Sequence, residues 1–383
     1  MADGDLGGLR ERITGIDARI LALFEERMKA VEEVAARKAV SRQPVLDAHR
    51  EREIADWARG AVPEGLGDSA EALLRTLTRL SRERQYEEVL PLDFLWDLGR
   101  RIRTAPAAPP RTARVAVQGS QGSYAAQAAA AMYPDAALSH APTWDAACLA
   151  AVSGDADLAV LPIENTTAGT VNEVYDLLLK HDLWIVRSAT AAIRHCLAGK
   201  PGARAEDVRT VVSHPQALSQ CAGTIRRRGW ATRSCENTAF AAAEVAASPD
   251  PSVAAIASRE AAAVHGLVVL LDDVNDVDCN RTRFVAVSPT LAIAPDADRV
   301  GLVLKTPHQS GALASVLSVF ADRGLNLAKI LSRPVPDRPW EYRFYVDFQS
   351  PPRDPQAMRA LYQFEQELPF LRFLGWYREE ALE

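Results

Sequence analysis

No run of apolar residues in this 383-residue chain reaches the roughly 18 that a membrane-crossing helix needs. The opening stretch, MADGDLGGLRERITG, lacks the apolar centre of a secretory leader. Cysteine is scarce: Cys148, Cys196, Cys221, Cys235 and Cys279 are scattered, odd in number and never in a CxxC pair. That argues against a disulfide framework and a zinc site, and for a reducing, cytoplasmic setting. Positive charge is not in excess either, since 44 Lys and Arg against 50 Asp and Glu leave a formal net charge of -6. Nothing in that balance calls for a nucleic-acid or membrane partner.

What is present is an ordinary globular composition, 48% hydrophobic and 25% charged, in a chain long enough for about two to four domains. Residues 5–103 are rich in Arg, Glu, Leu and Ala, and apolar residues recur three or four apart at Leu9, Ile13, Ile16, Ile20, Leu23, Val31 and Val34. This spacing predicts a helix of roughly 45 Å, ended by the segment Ser41 to Pro44. A second helix is expected from about Asp47 to Gly60, and a third from beyond Pro63–Gly67 to about Arg100. One long helix and two shorter ones cannot enclose a core alone, so a homodimer or higher homo-oligomer sharing long helices is expected.

The proline-rich segment Thr104 to Ala113 (TAPAAPPRTA) reads as a linker. Beyond it, short apolar runs alternate with helix-length segments: Val115–Val117, Leu158–Ile163, Val208–Val212, Val253–Ile256, Leu267–Leu271 and Phe284–Val287. That is the pattern of an α/β unit with a largely parallel sheet. From about Pro295 the order is strand, helix, strand, strand, helix, strand, which is ferredoxin-like α+β. The domains are therefore expected at 1–103, 114–290 and 297–379, with a linker at 104–113.

In the helical part, Arg27 and Lys38 are eleven residues apart and face the same way. Asp47, Arg50 and Glu51 cluster at the start of the second helix, and Ser81 and Gln85 form an i,i+4 pair on the third. Spacing alone leaves these as solvated charges, with Asp47 a helix cap. The run LRERITGIDARILALFEERMKAVEEVAARKAV, continued by PVLDAHREREI, resembles the all-helical class of chorismate mutase. The resemblance implies a charged pocket at Arg10, Arg27, Lys38, Asp47, Arg50, Glu51, Ser81 and Gln85. Chorismate is a dianion that rearranges in one concerted step, with no nucleophile or cofactor. Catalysis then comes from holding a compact conformer and stabilising charge on the breaking ether oxygen. On this reading Arg10 (from a partner subunit) and Arg27 hold carboxylates, and Lys38 and Gln85 donate to the ether oxygen. Glu51 and Asp47 orient the ring hydroxyl, while Arg50 and Ser81 complete the pocket.

In the α/β part four segments stand in order: VAVQGSQGSY (Val115–Tyr124), LPIENTTAGTVNEVYDLL (Leu161–Leu178), SHPQALSQC (Ser213–Cys221) and NRTRF (Asn280–Phe284). Singly each has a plain structural reading. Ser213-His214-Pro215 is a strand-to-helix turn, Glu164 a cap, and Thr282 a β-branched strand residue. Together they resemble prephenate dehydratases, whose two α/β lobes, like those of periplasmic binding proteins, enclose prephenate. The resemblance implies one lobe of residues 114–188 plus 267–288 and another of about 189–266. It further implies Thr282 beside the leaving hydroxyl, polarised by Glu164, with Asn165, Thr166, Gln216, Ser123 and Arg283 binding and orienting. The opening segment departs from the family's pattern at Ser120 and Ala125.

TPHQSGALASVLSVFADRGLNLAKILSRP (Thr306–Pro334) resembles an ACT domain of the phenylalanine-sensing type. That implies an effector site at Gly311, Ala312 and Leu313 and at Ser332, Arg333 and Pro334, although Leu331 stands at a position that is acidic in the family. The expected activity carries chorismate through prephenate to phenylpyruvate, with phenylalanine as inhibitor and no metal or cofactor. A dehydrogenase is not indicated, because the GxGxxA-like run Gly65 to Ala70 follows no strand. A non-catalytic two-lobe binding protein needs neither charged pocket nor Thr282. Arogenate, the amino analogue, remains open as the dehydratase substrate.

Overall fold

The computed structural model describes residues 4–90, 93, 95–335 and 338–382. The first unit is helical: α1 (Gly4–Ser41), α2 (Ala48–Gly60), α3 (Gly67–Val89) and α4 (Asp97–Thr104). Helix α1 stops where Arg42 takes a left-handed conformation (φ 54°), and Asp47 caps α2 by accepting from Arg50 N at 3.0 Å. The expected third helix is two. The α-helix stops at Val89, close to Pro91, which has no amide hydrogen to extend the ladder. No helix among the described residues is long and apolar enough to cross a membrane.

The second unit opens with β1 (Arg114–Gln118), α5 (Tyr124–Met132), β2 (Ala137–Ala141), α6 (Trp144–Ser153), β3 (Leu158–Asn165), β4 (Gly169–Thr170), α7 (Asn172–Lys180) and β5 (Trp184–Ala192). It crosses into a second lobe with β6 (Cys196–Gly199), β7 (Thr210–Ser213), α8 (Pro215–Gln220), α9 (Ala222–Arg228), β8 (Ala231–Ser234), α10 (Thr238–Ala247), β9 (Val253–Ala257), α11 (Arg259–Val264) and β10 (Val268–Leu271). It then returns through β11 (Arg281–Ser288). The third unit comprises β12 (Arg299–Lys305), α12 (Ala312–Asp322), β13 (Asn326–Val335), β14 (Arg338–Gln349), α13 (Pro355–Glu367), β15 (Phe370–Tyr377) and β16 (Glu379–Ala381).

Two expectations change here. Strand β10 pairs antiparallel with β6, so it belongs to the second lobe rather than the first. The sheets are also mixed, not largely parallel: β11 runs antiparallel to both β3 and β5. The reason is the double crossing between lobes, which sends β5 out and brings β11 back beside it. The first sheet has the order β16-β5-β11-β3-β1-β2 and the second β10-β6-β9-β7-β8.

The third unit is built into the rest. Its sheet, β13-β14-β12-β15, packs helices α12 and α13 on one face. The other face joins the first lobe in one core, with Val303, Tyr345 and Leu374 among Leu161, Tyr175 and Val285. Backbones meet closely there: a Cβ on Gly375 would lie 2.1 Å from the carbonyl oxygen of Ile185, so only glycine fits. The last strand, β16, extends the first lobe's sheet by pairing with β5.

Candidate active sites

The helical site lies where α1 and α2 pack on α3. Arg27 donates to the Leu77 carbonyl at 3.1 Å and to Ser81 Oγ, and Ser81 in turn donates to Leu77 O at 2.6 Å. Lys38 Nζ donates to Val45 O at 2.7 Å. Partial burial pulls its ammonium below the ordinary lysine value, against the opposing charges of Asp47 and Glu51. Gln85 is buried, with its Oε1 unpaired among the described residues. Glu51 pairs with Arg82, a residue the sequence reading missed. Across the three helices Arg27 thus meets Ser81, and Lys38 lies near Asp47 and Glu51. Arg10 is exposed on α1, and the exposed Arg50 turns to Glu53 at 3.0 Å.

The cleft between the two lobes encloses about 390 Å³ and is lined by Ser123, Asn165, Gln216 and Thr282, as the sequence led one to expect. Asn165, 6% exposed, is its organising residue. Its Nδ2 donates to Thr282 Oγ1 at 2.9 Å and to Asn280 Oδ1 at 2.8 Å, and its Oδ1 accepts from Thr167 Oγ1 at 2.7 Å. Gln216 Nε2 reaches the same oxygen from the other lobe at 3.4 Å.

Three expected residues do not line this cleft. Glu164 and Arg283 sit opposite each other on β3 and β11, each one step from a lining residue, and strand alternation sends both to the far face. There Arg283 pairs with Asp347 at 2.8 Å and Glu164 at 3.3 Å, and Glu164 with Lys329 at 3.0 Å. The expected approach of Glu164 to Thr282 is therefore not made; the side chain bonded to the Thr282 hydroxyl is Asn165. Thr166 is exposed and clasps the β3–β11 connection, donating to Cys279 O at 3.0 Å and accepting from Arg281 N at 2.9 Å.

His195, Tyr124, Gln220 and Asn237 also line the cleft; Tyr124 and Gln220 fall in segments that carry the resemblance, but none of the four was given a role from the sequence. His195 Nε2 donates to Gln220 Oε1 at 3.2 Å, an oxygen that also accepts from Asn280 Nδ2 at 2.9 Å. Nδ1 lies 3.0 Å from the Tyr124 hydroxyl, which donates to the Arg194 carbonyl at 2.6 Å. Burial pushes the His195 pKa down to about 4, so the ring is neutral at pH 7.

The charged residues of the cleft lining are acidic, Glu173 and Glu236. No lysine or arginine is among its lining residues. Instead the caps of α5, α6, α8 and α10 face it: Ser123, Thr143, His214 and Asn237 each accept a backbone N–H of their own first turn. Helix N-termini favour anions there. Two lining donors, Trp144 Nε1 and Asn237 Nδ2, are buried with no partner among the described residues.

A second cavity, of about 720 Å³, lies in the C-terminal unit beside Gly311, Ala312 and Leu313. Gly311 has φ 77° and opens α12, a conformation that suits glycine. Ser332, Arg333 and Pro334 do not line it. Ser332 and Pro334 are exposed on β13, while Arg333 is drawn to the first lobe by Asp176 at 3.0 Å and the Asn172 carbonyl at 2.9 Å. Leu331 packs into the core shared with that lobe, not toward the cavity.

Family models agree with this division. Residues 9–86 match chorismate mutase type II, 115–290 prephenate dehydratase, and 301–366 the ACT domain. A bifunctional chorismate mutase/prephenate dehydratase of Enterobacter agglomerans is 32% identical over 99% of this chain and 97% of its own. An arogenate dehydratase/prephenate dehydratase of Arabidopsis thaliana is 39% identical over 69% of this chain and 72% of its own. The crystal structure of an Arthrobacter aurescens prephenate dehydratase in complex with L-Phe superposes with a TM-score of 0.64 at 30% identity. It covers 69% of this chain and 89% of its own.

Proposed function

The chain belongs to the bifunctional chorismate mutase/prephenate dehydratase family, and from that premise we propose how its residues divide the two reactions. It is an enzyme of phenylalanine biosynthesis that rearranges chorismate to prephenate and converts prephenate to phenylpyruvate. In the helical site Arg27 binds a carboxylate of chorismate, and Lys38 and Gln85 donate to the ether oxygen as its bond breaks. Glu51 and Asp47 orient the ring hydroxyl beside Ser81 and Arg50. Arg10 acts from a second copy. Support for a dimer is the bare face of α1: Leu9, Ile13, Ile16, Ile20 and Leu23 are 43–64% exposed, an apolar stripe of the kind subunits bury.

In the cleft, the observation that carries the assignment is the bond from Asn165 Nδ2 to Thr282 Oγ1 at 2.9 Å. It occupies an acceptor site of the hydroxyl and leaves the Thr282 proton to donate. That proton meets the C4 hydroxyl of prephenate as it departs with the electron pair of its C–O bond. The electrons of the bond to carbon dioxide complete the aromatic ring, and the departing hydroxyl leaves as water with a proton relayed through Thr282, which solvent restores. The carboxylates lie against the helix N-termini and the unpaired Asn237 and Trp144 donors. Phenylalanine occupies the cavity at Gly311–Leu313 as inhibitor, a reading supported by the phenylalanine complex of the Arthrobacter relative. The free cysteines accord with a cytoplasmic setting.

The test supplies purified protein with chorismate alone and follows prephenate and phenylpyruvate together, with and without phenylalanine. Both products are expected in sequence, with phenylpyruvate slowed by phenylalanine. Accumulation of prephenate without phenylpyruvate would sink the dehydratase assignment. Arogenate in a parallel reaction decides substrate preference, and prephenate is expected to be the faster.

A further inference from the structure

The Glu51 carboxylate is held from behind. Arg82 follows Ser81 on α3 and is 9% exposed. Its Nη1 donates to Glu51 Oε1, and its Nε donates to Glu367 Oε1 at 2.9 Å. Glu367 is the last residue of α13, in the C-terminal unit, and also accepts from Gln363 Nε2 at 3.2 Å. A planar guanidinium bonded along two edges cannot rotate without breaking one bond, so its orientation fixes the carboxylate it serves. Burial pushes the Glu367 carboxyl upward, and the Arg82 charge opposes this.

The surroundings make the clamp stiff. Tyr86, 1% exposed on α3, meets Tyr362 of α13 edge-on at 5.8 Å. Arg79 of α3 pairs with Asp322 of α12. Val45, whose carbonyl receives Lys38 Nζ at 2.7 Å, lies in the same apolar cluster as Leu361 and Phe364 of α13. Two charged groups of the helical site, one through Arg82 and one through Val45, are thus referenced to a helix of another domain.

We propose that Arg82, clamped to Glu367 of the C-terminal unit, is a positioning residue for the chorismate rearrangement, so that α13 supports the mutase site through the Glu51 carboxylate. This rests on the role given above to Glu51. A displacement of α13 is then transmitted to mutase turnover without any ligand entering the helical site.

The test uses the full chain and measures mutase kinetics on chorismate, with dehydratase kinetics on supplied prephenate as the internal standard. Arg82→Met is expected to lower mutase kcat about tenfold, the scale of one lost charge-assisted hydrogen bond, with KM moving less than about threefold. Dehydratase turnover stays unchanged, which a general loss of folded protein would not allow. Arg82→Lys recovers little, because an ammonium cannot bond both acids in the same plane. Glu367→Gln keeps the shape and lowers mutase kcat about threefold. The double variant Arg82→Met/Glu367→Gln is no worse than Arg82→Met, since Glu367 acts only through Arg82. Normal mutase kcat in Arg82→Met beside an impaired Glu51→Gln overturns the clamp alone. A normal Glu51→Gln overturns the pocket assignment and the clamp with it. Parallel loss of both activities, or additive effects in the double variant, also overturns it. If Arg82→Met fails to fold, Glu367→Gln decides by the same criteria.

Discussion

Two anions of closely related structure meet two different solutions in one chain. The helical site uses full charges, Arg27 and Lys38 with Glu51 nearby, and most of these side chains are half-exposed. The inter-lobe cleft has no lysine or arginine in its lining, where the charged residues are Glu173 and Glu236, and offers an anion helix N-termini, amides, hydroxyls and a neutral imidazole. Burial decides between them. A cation near water costs little to desolvate, whereas one enclosed between lobes is expensive unless paired. The buried cation beside the cleft, Arg283, is spent on an acid of its own, Asp347, behind the sheet. A concerted rearrangement needs charges at fixed points. Expulsion of hydroxide and carbon dioxide needs a dry, oriented donor.

The largest effects should separate the two sites cleanly. Lys38→Ala removes the donor to the ether oxygen and is expected to lower mutase turnover by on the order of a thousandfold, leaving dehydration of supplied prephenate intact. Thr282→Ala is expected to cut dehydratase turnover about a hundredfold, leaving chorismate consumption intact. Steady-state assays of each variant with each substrate give a crossed pattern. A variant that loses both reactions equally would break the picture of two independent sites.

Next in size is an acid sensitivity confined to the cleft. His195 is 2% exposed, and its pKa falls from 6.5 to about 4. Unfolding frees the ring to take a proton. The stability it contributes is therefore complete above pH 6.5 and is lost as the pH falls through about 4. A shift of that size corresponds to about 3 kcal/mol at most. Melting followed between pH 7 and pH 4.5 should show the native chain losing more stability than His195→Gln, which keeps polar atoms there without titrating. Equal losses would show that the ring is not held neutral.

Legibility in the sequence followed the same division. In the helical unit a period near 3.6 put Arg27 and Lys38 on one face, and the resemblance to a family, not the period, joined Ser81 to them. What periodicity did not yield was Arg82, because its partner Glu367 lies 285 positions along the chain. In the α/β unit the order of strands and the Thr282 and Asn165 segments were readable. Glu164 and Arg283 were misplaced because a motif names neighbours without saying which face each takes. His195 was missed since its chemistry comes from burial and from Gln220, neither written in adjacent residues. Strand β10 was put in the wrong lobe because apolar runs carry no pairing information.

The smallest expected effect tests that alternation of faces. Glu164 and Asn165 are adjacent on β3, and only Asn165 lines the cleft. Glu164 faces Lys329 at 3.0 Å and Arg283 at 3.3 Å, with its side chain 36% exposed. Solvent screening at that exposure limits what its pairs contribute to stability, on the order of 1 kcal/mol or less. Glu164→Gln keeps the shape and removes the charge, so dehydratase kcat on prephenate is expected to change less than about threefold. Asn165→Ala, one residue on, removes the donor to Thr282 and is expected to approach the Thr282→Ala loss of about a hundredfold. The two neighbours should therefore differ by more than an order of magnitude in the same assay. Should Glu164→Gln fall as far as Asn165→Ala, the Glu164 carboxylate reaches the reaction after all, and the far face of β3 is part of the site.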